Sequence, residues 1–371
     1  KGRGLCPSCG GRQMGELAAH LTCRVLPEVP MRQWVLSEPL PLRYRMSYDR
    51  AFQSEVLGEF IKAIVKWQRH IAKRTLGLNS VEDAKSGSVT FIQRFGSAAN
   101  LNVHFHTLVP DGVFVRLGGG KLAFRGLCAP TKEDILSIAW QVCRQVMSRM
   151  QKRGEWETEI SDEHLEREPT LSECLSSSVL GTLSMGKRRG KRLLRFFGAA
   201  AREAGRGESR THTSGYGFNL HAGVSVSARN RTKLERLIRY MARPALSNER
   251  LEKLHDLRIS LRLKRPWHDG TSHLIFTPLE FMERLVSLIP PPRLHMIRYH
   301  GVFAPNSKWR KEVVPKAAAV VSDCHNNAND EGACHHGHSR RLLGFAKLMQ
   351  RVFEIDVLQC PKCKGRMQRI A

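Results

Sequence analysis

The sequence predicts an α+β fold with a mostly antiparallel central sheet. Two β-rich runs, SVTFIQRF (88–95) and LNVHFHTLV (101–109), are joined by the short link 96–100, the pattern of a hairpin. Apolar residues at helical spacing mark separate segments, clearest at Phe52, Val56, Phe60, Ile64 and Trp67. Short strands interspersed with scattered helices give the class.

The elements follow in chain order. Residues 1–30 are Gly- and Cys-rich at the start and are expected to form a small zinc-binding module that ends in the linker Leu26–Pro30. A strand is expected over Gln33–Leu36, then a Pro-rich stretch at 39–41, then a long helix over Tyr48–Arg74. After the hairpin, the turn Pro110-Asp111-Gly112 leads to a third strand, Gly112–Leu117. Thr131 is placed to cap a helix reaching Lys152, with Asp134 in its first turn. Residues 153–215 are polar, carry the charge run 187–192, and read as partly flexible. A strand over Phe218–Ala228 precedes a helix capped by Asn230 and ended by Pro244. Strands at Arg258–Lys264 and His273–Phe276 and a helix at Leu279–Leu288 lie before the three prolines 290–292. Residues 31–315 thus read as the main domain, 316–345 as a linker, and 346–371 as a C-terminal segment holding a second Cys pair.

The chain has 371 residues with 60 Lys+Arg against 34 Asp+Glu, a net charge of +26 spread along its length. A field of that sign attracts polyanions, nucleic acid first. An acidic membrane surface is a weaker reading, because no basic helix carries a large apolar face. No run approaches the roughly 18–20 apolar residues of a membrane span, and no secretory signal is visible. Ten cysteines in this length do not make a disulfide scaffold, and four of them fall in two Cys-x2-Cys pairs. That usage points to metal binding in a reducing cytoplasm.

Candidate chemistry centres on His104 and His106. Alternate residues of a strand point to one side, so the two imidazoles and Asn102 share a face. Two neutral imidazoles are half of a metal site, and Gln93 and His221 are the candidates for a third ligand. Mg2+ or Mn2+ suits a phosphate site that keeps open positions. On the 230–243 helix, Leu234, Leu237, Ile238 and Met241 form an apolar stripe, and Tyr240 falls beside it with Lys233, Arg236 and Arg243. A tyrosine there is either an amphipathic residue at a core boundary or a nucleophile where a phosphate docks. Cys6, Cys9, His20 and Cys23 have the spacing of a structural Zn2+ site. Cys6 and Cys9 could instead pair with ligands from elsewhere, and Cys360 and Cys363 form half of another site. Lys264, Arg265 and Trp267, and Trp309 and Arg310 with Tyr299 nearby, interleave charge and aromatic rings as single-strand DNA binders do.

Four stretches carry a family resemblance: FIQRFGSAANLNVHFHTLVPDGVF (91–114), LERLIRYMARPALSNERL (234–251), KRPWHDGTSHLIF (264–276) and RYHGVFAPNSKWR (298–310). With the N-terminal CPSCGGRQM, they resemble the transposases of rolling-circle insertion sequences, the insertion-sequence-ninety-one type and its common-region relatives, which are HUH endonucleases. The resemblance implies a central antiparallel sheet with flanking helices and an N-terminal zinc-binding domain. It implies His104 and His106 as metal ligands and Tyr240 as a nucleophile on single-stranded DNA at element ends and target sites. A 5′-phosphotyrosine intermediate would then be resolved by strand transfer without ATP, in the cytoplasm at the nucleoid. Some relatives have a second tyrosine four residues on. Here that position is Pro244, so the chain resembles the single-tyrosine kind.

Three other classes remain open from sequence: a replication initiator or relaxase with the same chemistry, a transposase using three carboxylates and two metals, and a non-catalytic zinc DNA-binding protein.

Overall fold

The computed structural model describes residues 5–117, 120–155, 166–197, 212–215 and 217–315, with isolated positions from 350 onward. The linker 316–345 and the pair Cys360 and Cys363 lie outside the described residues.

The strands are β1 (Met31–Ser37), β2 (Gly87–Phe95), β3 (Leu101–Pro110), β4 (Gly112–Arg116), β5 (Leu122–Gly126), β6 (Leu194–Phe197), β7 (His212–Gly215), β8 (Phe218–Val226), β9 (Leu251–Lys253), β10 (Ile259–Arg262), β11 (Thr271–Phe276) and β12 (Ile297–Gly301). The longer helices are α1 (Pro7–Arg24), α2 (Leu40–Tyr48), α3 (Arg50–Leu76), α4 (Lys132–Lys152), α5 (Pro169–Leu180), α6 (Arg231–Ala242) and α7 (Pro278–Leu288).

The class is α+β, as expected. Six strands form one sheet in the order β12-β2-β3-β1-β8-β7, and every neighbouring pair is antiparallel. Alternation along β3 splits its residues between two cores. Val103, Phe105 and Val109 enter a cluster with α2, α3 and α4, while Leu108 enters a cluster on the opposite face with α1 and α6. A smaller sheet, β6-β11-β10-β9, packs with α7 around Leu261, Leu274 and Phe276.

Helix signals act locally where they were read: Thr131 closes a capping box with Asp134, and Thr277, not read as a cap, does the same with Glu280. Asn230 accepts from the Lys233 amide and starts α6. The Pro-rich stretch 39–41 is itself the start of α2, because proline is tolerated in a first turn, where its missing N–H has no partner to lose. The polar stretch 153–215 contains α5, whose buried Cys174, Leu175 and Val179 pack it against the body.

Residues 5–30 do not form a separate module. Ala18, Leu21, Val25 and Leu26 are buried in the same cluster as Leu234 and Ile238 of α6. Arg231 of α6 donates to the carbonyls of Thr22, Leu26 and Pro27, tying the end of α1 to the start of α6.

Candidate active site

The site is assembled from three central strands and one helix. Register places Gln93 of β2 and Ser37 of β1 on either side of His104, and Phe91 and Val35 on either side of His106. Both imidazoles emerge on the α1 and α6 face, as period two requires. Their Nε2 atoms are 3.0 Å apart. The His104 Nδ1 lies 2.7 Å from the Asn102 carbonyl, which only accepts, so Nδ1 carries a proton and Nε2 presents a lone pair. His106 then donates from Nε2, and its Nδ1 accepts from the Gln33 amide at 2.7 Å. One proton therefore lies between the two Nε2 atoms, where a cation would lie if both faced it. A separation of 3.0 Å is also the cis edge of an octahedron with bonds of about 2.1 Å.

Burial pushes His104 down to about 4, with Arg43 and Arg243 opposing protonation further. Burial pushes His106 down to about 2, aided by His104 and Arg243. Both rings are thus held in the neutral form that binds metals.

Gln93 connects the strands to the helix. Its amide donates to the carbonyl of Met241 at 2.7 Å, while its own Oε1 is buried with no hydrogen-bond partner among the described residues. That orphaned oxygen, beside His104 in register, fits a third ligand. His221 faces the same side but pairs with Val35, so β1 separates it from β3 and sets the backbones about 9–10 Å apart. Of the two candidates, Gln93 is the nearer. Among the described residues no three His, Cys, Asp or Glu side chains form a metal cluster; Gln93 would add an amide oxygen to the His pair.

Tyr240 stands over this pair. Its ring meets the His106 ring edge-on, with centroids 5.9 Å apart and planes at 87°. Tyr240 is 40% exposed, so its side chain is open to solvent. The Arg243 guanidinium lies 4.5 Å from its centroid and the Lys264 ammonium 4.7 Å. Burial, then Arg243, Arg265 and Arg250, lower the Lys264 pKa, the mark of a crowded cationic surface that an anion would relieve.

The remaining candidates divide. Lys233 is exposed and donates to the Ser225 carbonyl, and Arg236 is exposed on α6. Arg265 is exposed near Lys264, and Trp267 carries Arg195 over its ring. Tyr299, Trp309 and Arg310 gather away from Tyr240, toward the β12 edge, with Arg310 over Tyr299 and Arg116 over Trp309.

The four-ligand zinc expectation for Cys6, Cys9, His20 and Cys23 is corrected. Pro7–Arg24 is one continuous helix, so the two ends of the set are separated by about 20 Å at 1.5 Å per residue. Cys6 and Cys9 are one turn apart and interact with each other.

Two residues escaped the sequence reading. Gln33 was visible only as a polar residue in an apolar strand. Glu38 follows Ser37, the register partner of His104, and is fully buried, with both carboxylate oxygens lacking hydrogen-bond partners among the described residues. Burial pushes its carboxyl well above the usual range.

A family model described as "Putative transposase" (Y2_Tnp) matches residues 87–311, more than half of the chain. The chain belongs to this transposase family. The match spans β2 and β3 with the His pair, α6 with Tyr240, and β12. No curated protein and no solved structure matches the transposase. No helix among its described residues is long and apolar enough to cross a membrane.

Proposed function

We propose that this transposase is an HUH-type enzyme that nicks and rejoins single-stranded DNA with Tyr240 as its nucleophile. The observation that carries the reading is the placement of the Tyr240 ring against His106, beside a neutral imidazole pair and under two cations. His104, His106 and Gln93 would hold Mg2+ or Mn2+. A cation bound there supplies polarisation of a phosphate oxygen.

The chain's own residues do the rest. Arg243 and Lys264 bind and orient the scissile phosphate beside the phenol, a charge-assisted contact. The Tyr240 oxygen bonds to phosphorus as the bond to the 3′ oxygen breaks, leaving a 5′-phosphotyrosine ester and a free 3′-hydroxyl. A 3′-hydroxyl attacking that ester reverses the step and frees Tyr240, so joining needs no ATP. Gln33 fixes the orientation of His106, and Gln93 fixes the carbonyl end of the helix that carries Tyr240. With Pro244 four residues on, a single tyrosine performs both steps. The substrate is the single-stranded end of a mobile element of the rolling-circle, insertion-sequence-ninety-one type and its target, met in the cytoplasm at the nucleoid.

The test is a denaturing gel of the protein with labelled single-stranded element-end DNA and Mn2+. A slow band in the wild type that is absent from Tyr240→Phe supports the reading. A band in both, or in neither despite tight binding, overturns it.

A further inference from the structure

A cavity of about 390 Å3 opens directly behind the Tyr240 turn, between α1, β2 and residues 241–245. That volume is typical of sites for small organic groups. Its interior surface is made by Met14, Phe95, Met241, Ala245 and Met296. Thioether and aromatic surfaces of this kind accept a flat unsaturated ring.

Arg243 is the wall that the cavity shares with the candidate active site. Its guanidinium lies between the ring of Tyr240, at 4.5 Å, and the ring of Phe95, at 5.6 Å. Its Nε is buried with no hydrogen-bond partner among the described residues. At the cavity rim, the exposed amide of Gln13 offers both a donor and an acceptor. An apolar slot with a guanidinium at one wall and an amide at its mouth matches a base attached to a phosphate. A lipid tail or an apolar peptide side chain would leave the Arg243 Nε without a partner.

We infer that this cavity receives one nucleobase of the substrate strand, from the nucleotide next to the phosphate held at Tyr240, and so sets a base preference at that position. The location beside the cut rests on Tyr240 being the nucleophile. Base binding itself does not, because Phe95, Met14 and Gln13 take no part in the chemistry. Stacking in the slot supplies affinity, and the polar groups at its wall and mouth discriminate between base edges.

The experiment is a binding selection from a random-sequence single-stranded DNA pool, with the bound strands sequenced. It compares the full chain with Met14→Trp, which fills the slot, Met14→Ala, which widens it, and Tyr240→Phe. Thermal melting confirms the fold of each variant. The wild type is expected to enrich one position about tenfold for its preferred base, the size of one specific base contact. In both Met14 variants that preference falls below about threefold, while the salt dependence of binding to oligo-dT is unchanged, because phosphate contacts are untouched. If Met14→Trp does not fold, Met14→Ala carries the test. A wild-type pool with no preferred position, or a preference that persists in the folded Met14 variants, overturns the inference. Tyr240→Phe is expected to keep the preference, so failure of adduct formation and failure of the base slot are read separately.

Discussion

The Tyr240 ring stands edge-on to the His106 ring, with centroids 5.9 Å apart, although 134 residues separate the two in the chain. The contact exists because α6 packs across the face of the sheet that β3 turns toward it. Gln93 of β2 locks the arrangement by donating to the carbonyl of Met241. A tyrosine held this way is positioned by the sheet, not by a loop.

Removing either imidazole should separate cutting from binding. His104→Ala and His106→Ala are expected to reduce adduct formation at least a thousandfold, with affinity for single-stranded DNA within about threefold of wild type, since that affinity rests on phosphate contacts. Parallel cleavage and binding measurements check this. Equal loss of both would show that the pair serves the fold.

Gln33 should act only through His106. In the metal-free ring its amide donates to the His106 Nδ1 at 2.7 Å; with Nε2 on a cation, Nδ1 would carry the proton and donate to the Gln33 Oε1, and groups that orient a ligating imidazole contribute about 10–100-fold. Gln33→Leu is expected to slow adduct formation within that range and to raise the Mn2+ concentration needed for half-maximal rate. An unchanged metal requirement would contradict the role.

Arg243 and Lys264 should set the salt dependence. Each phosphate contact to a single strand contributes about 0.7 to the slope of log affinity against log salt. Arg243→Gln and Lys264→Gln are each expected to lower the slope by roughly that amount. A slope unchanged in both variants would move the DNA path away from Tyr240.

Acidification should destabilise the metal-free protein through the His pair. Burial lowers His104 to about 4 and His106 to about 2, against about 6.5 in the unfolded chain. As pH falls through 6.5 the unfolded state takes up protons that the folded state excludes, so stability falls as pH drops toward 4 and is nearly flat above about 7.5. Between pH 7.5 and 5 each imidazole contributes about 2 kcal/mol to that loss. Denaturant unfolding at pH 7.5, 6.5 and 5 checks it, with the double variant His104→Asn, His106→Asn expected to lose about 4 kcal/mol less. Identical losses would contradict it.

Asp111, in the turn beside the His strand, should be structural and not part of a carboxylate-dependent site. It forms a two-point pair with Arg32, at 2.7 and 3.0 Å, at the turn that ends β3. Arg32 also donates to the carbonyl of Ala222 in β8. Asp111→Asn is expected to cost about 3 kcal/mol of stability by leaving the guanidinium without its partner. Adduct formation per folded molecule should be unchanged. Loss of cutting in the folded variant would favour carboxylate chemistry.

The sequence exposed what depends on short-range periodicity. Two His at period two on an apolar strand, and a tyrosine at about 100° per residue beside an apolar stripe, were legible because each lies within one element. Asn230, Thr131 and the flanking prolines set helix ends for the same local reason. What depends on strand order was not legible. Gln33 reaches His106 because β1 and β3 are neighbours across 73 residues, and Lys264 reaches Tyr240 from a loop of the smaller sheet. The Cys-x2-Cys start misled because Pro7 can open a helix as readily as a knuckle, and burial of Ala18 and Leu21 selects the helix. Helix α5 was missed because its Ser-rich sequence carries too weak an apolar stripe to compete with the polar stretch around it.

The decisive measurement for Tyr240 as nucleophile is mass spectrometry of the DNA adduct. After the bound strand is trimmed with nuclease and the protein digested, a nucleotide mass is expected on Tyr240 through a phosphotyrosine ester. A nucleotide on Tyr299 or any other residue, or cut DNA with no modified peptide, would contradict it.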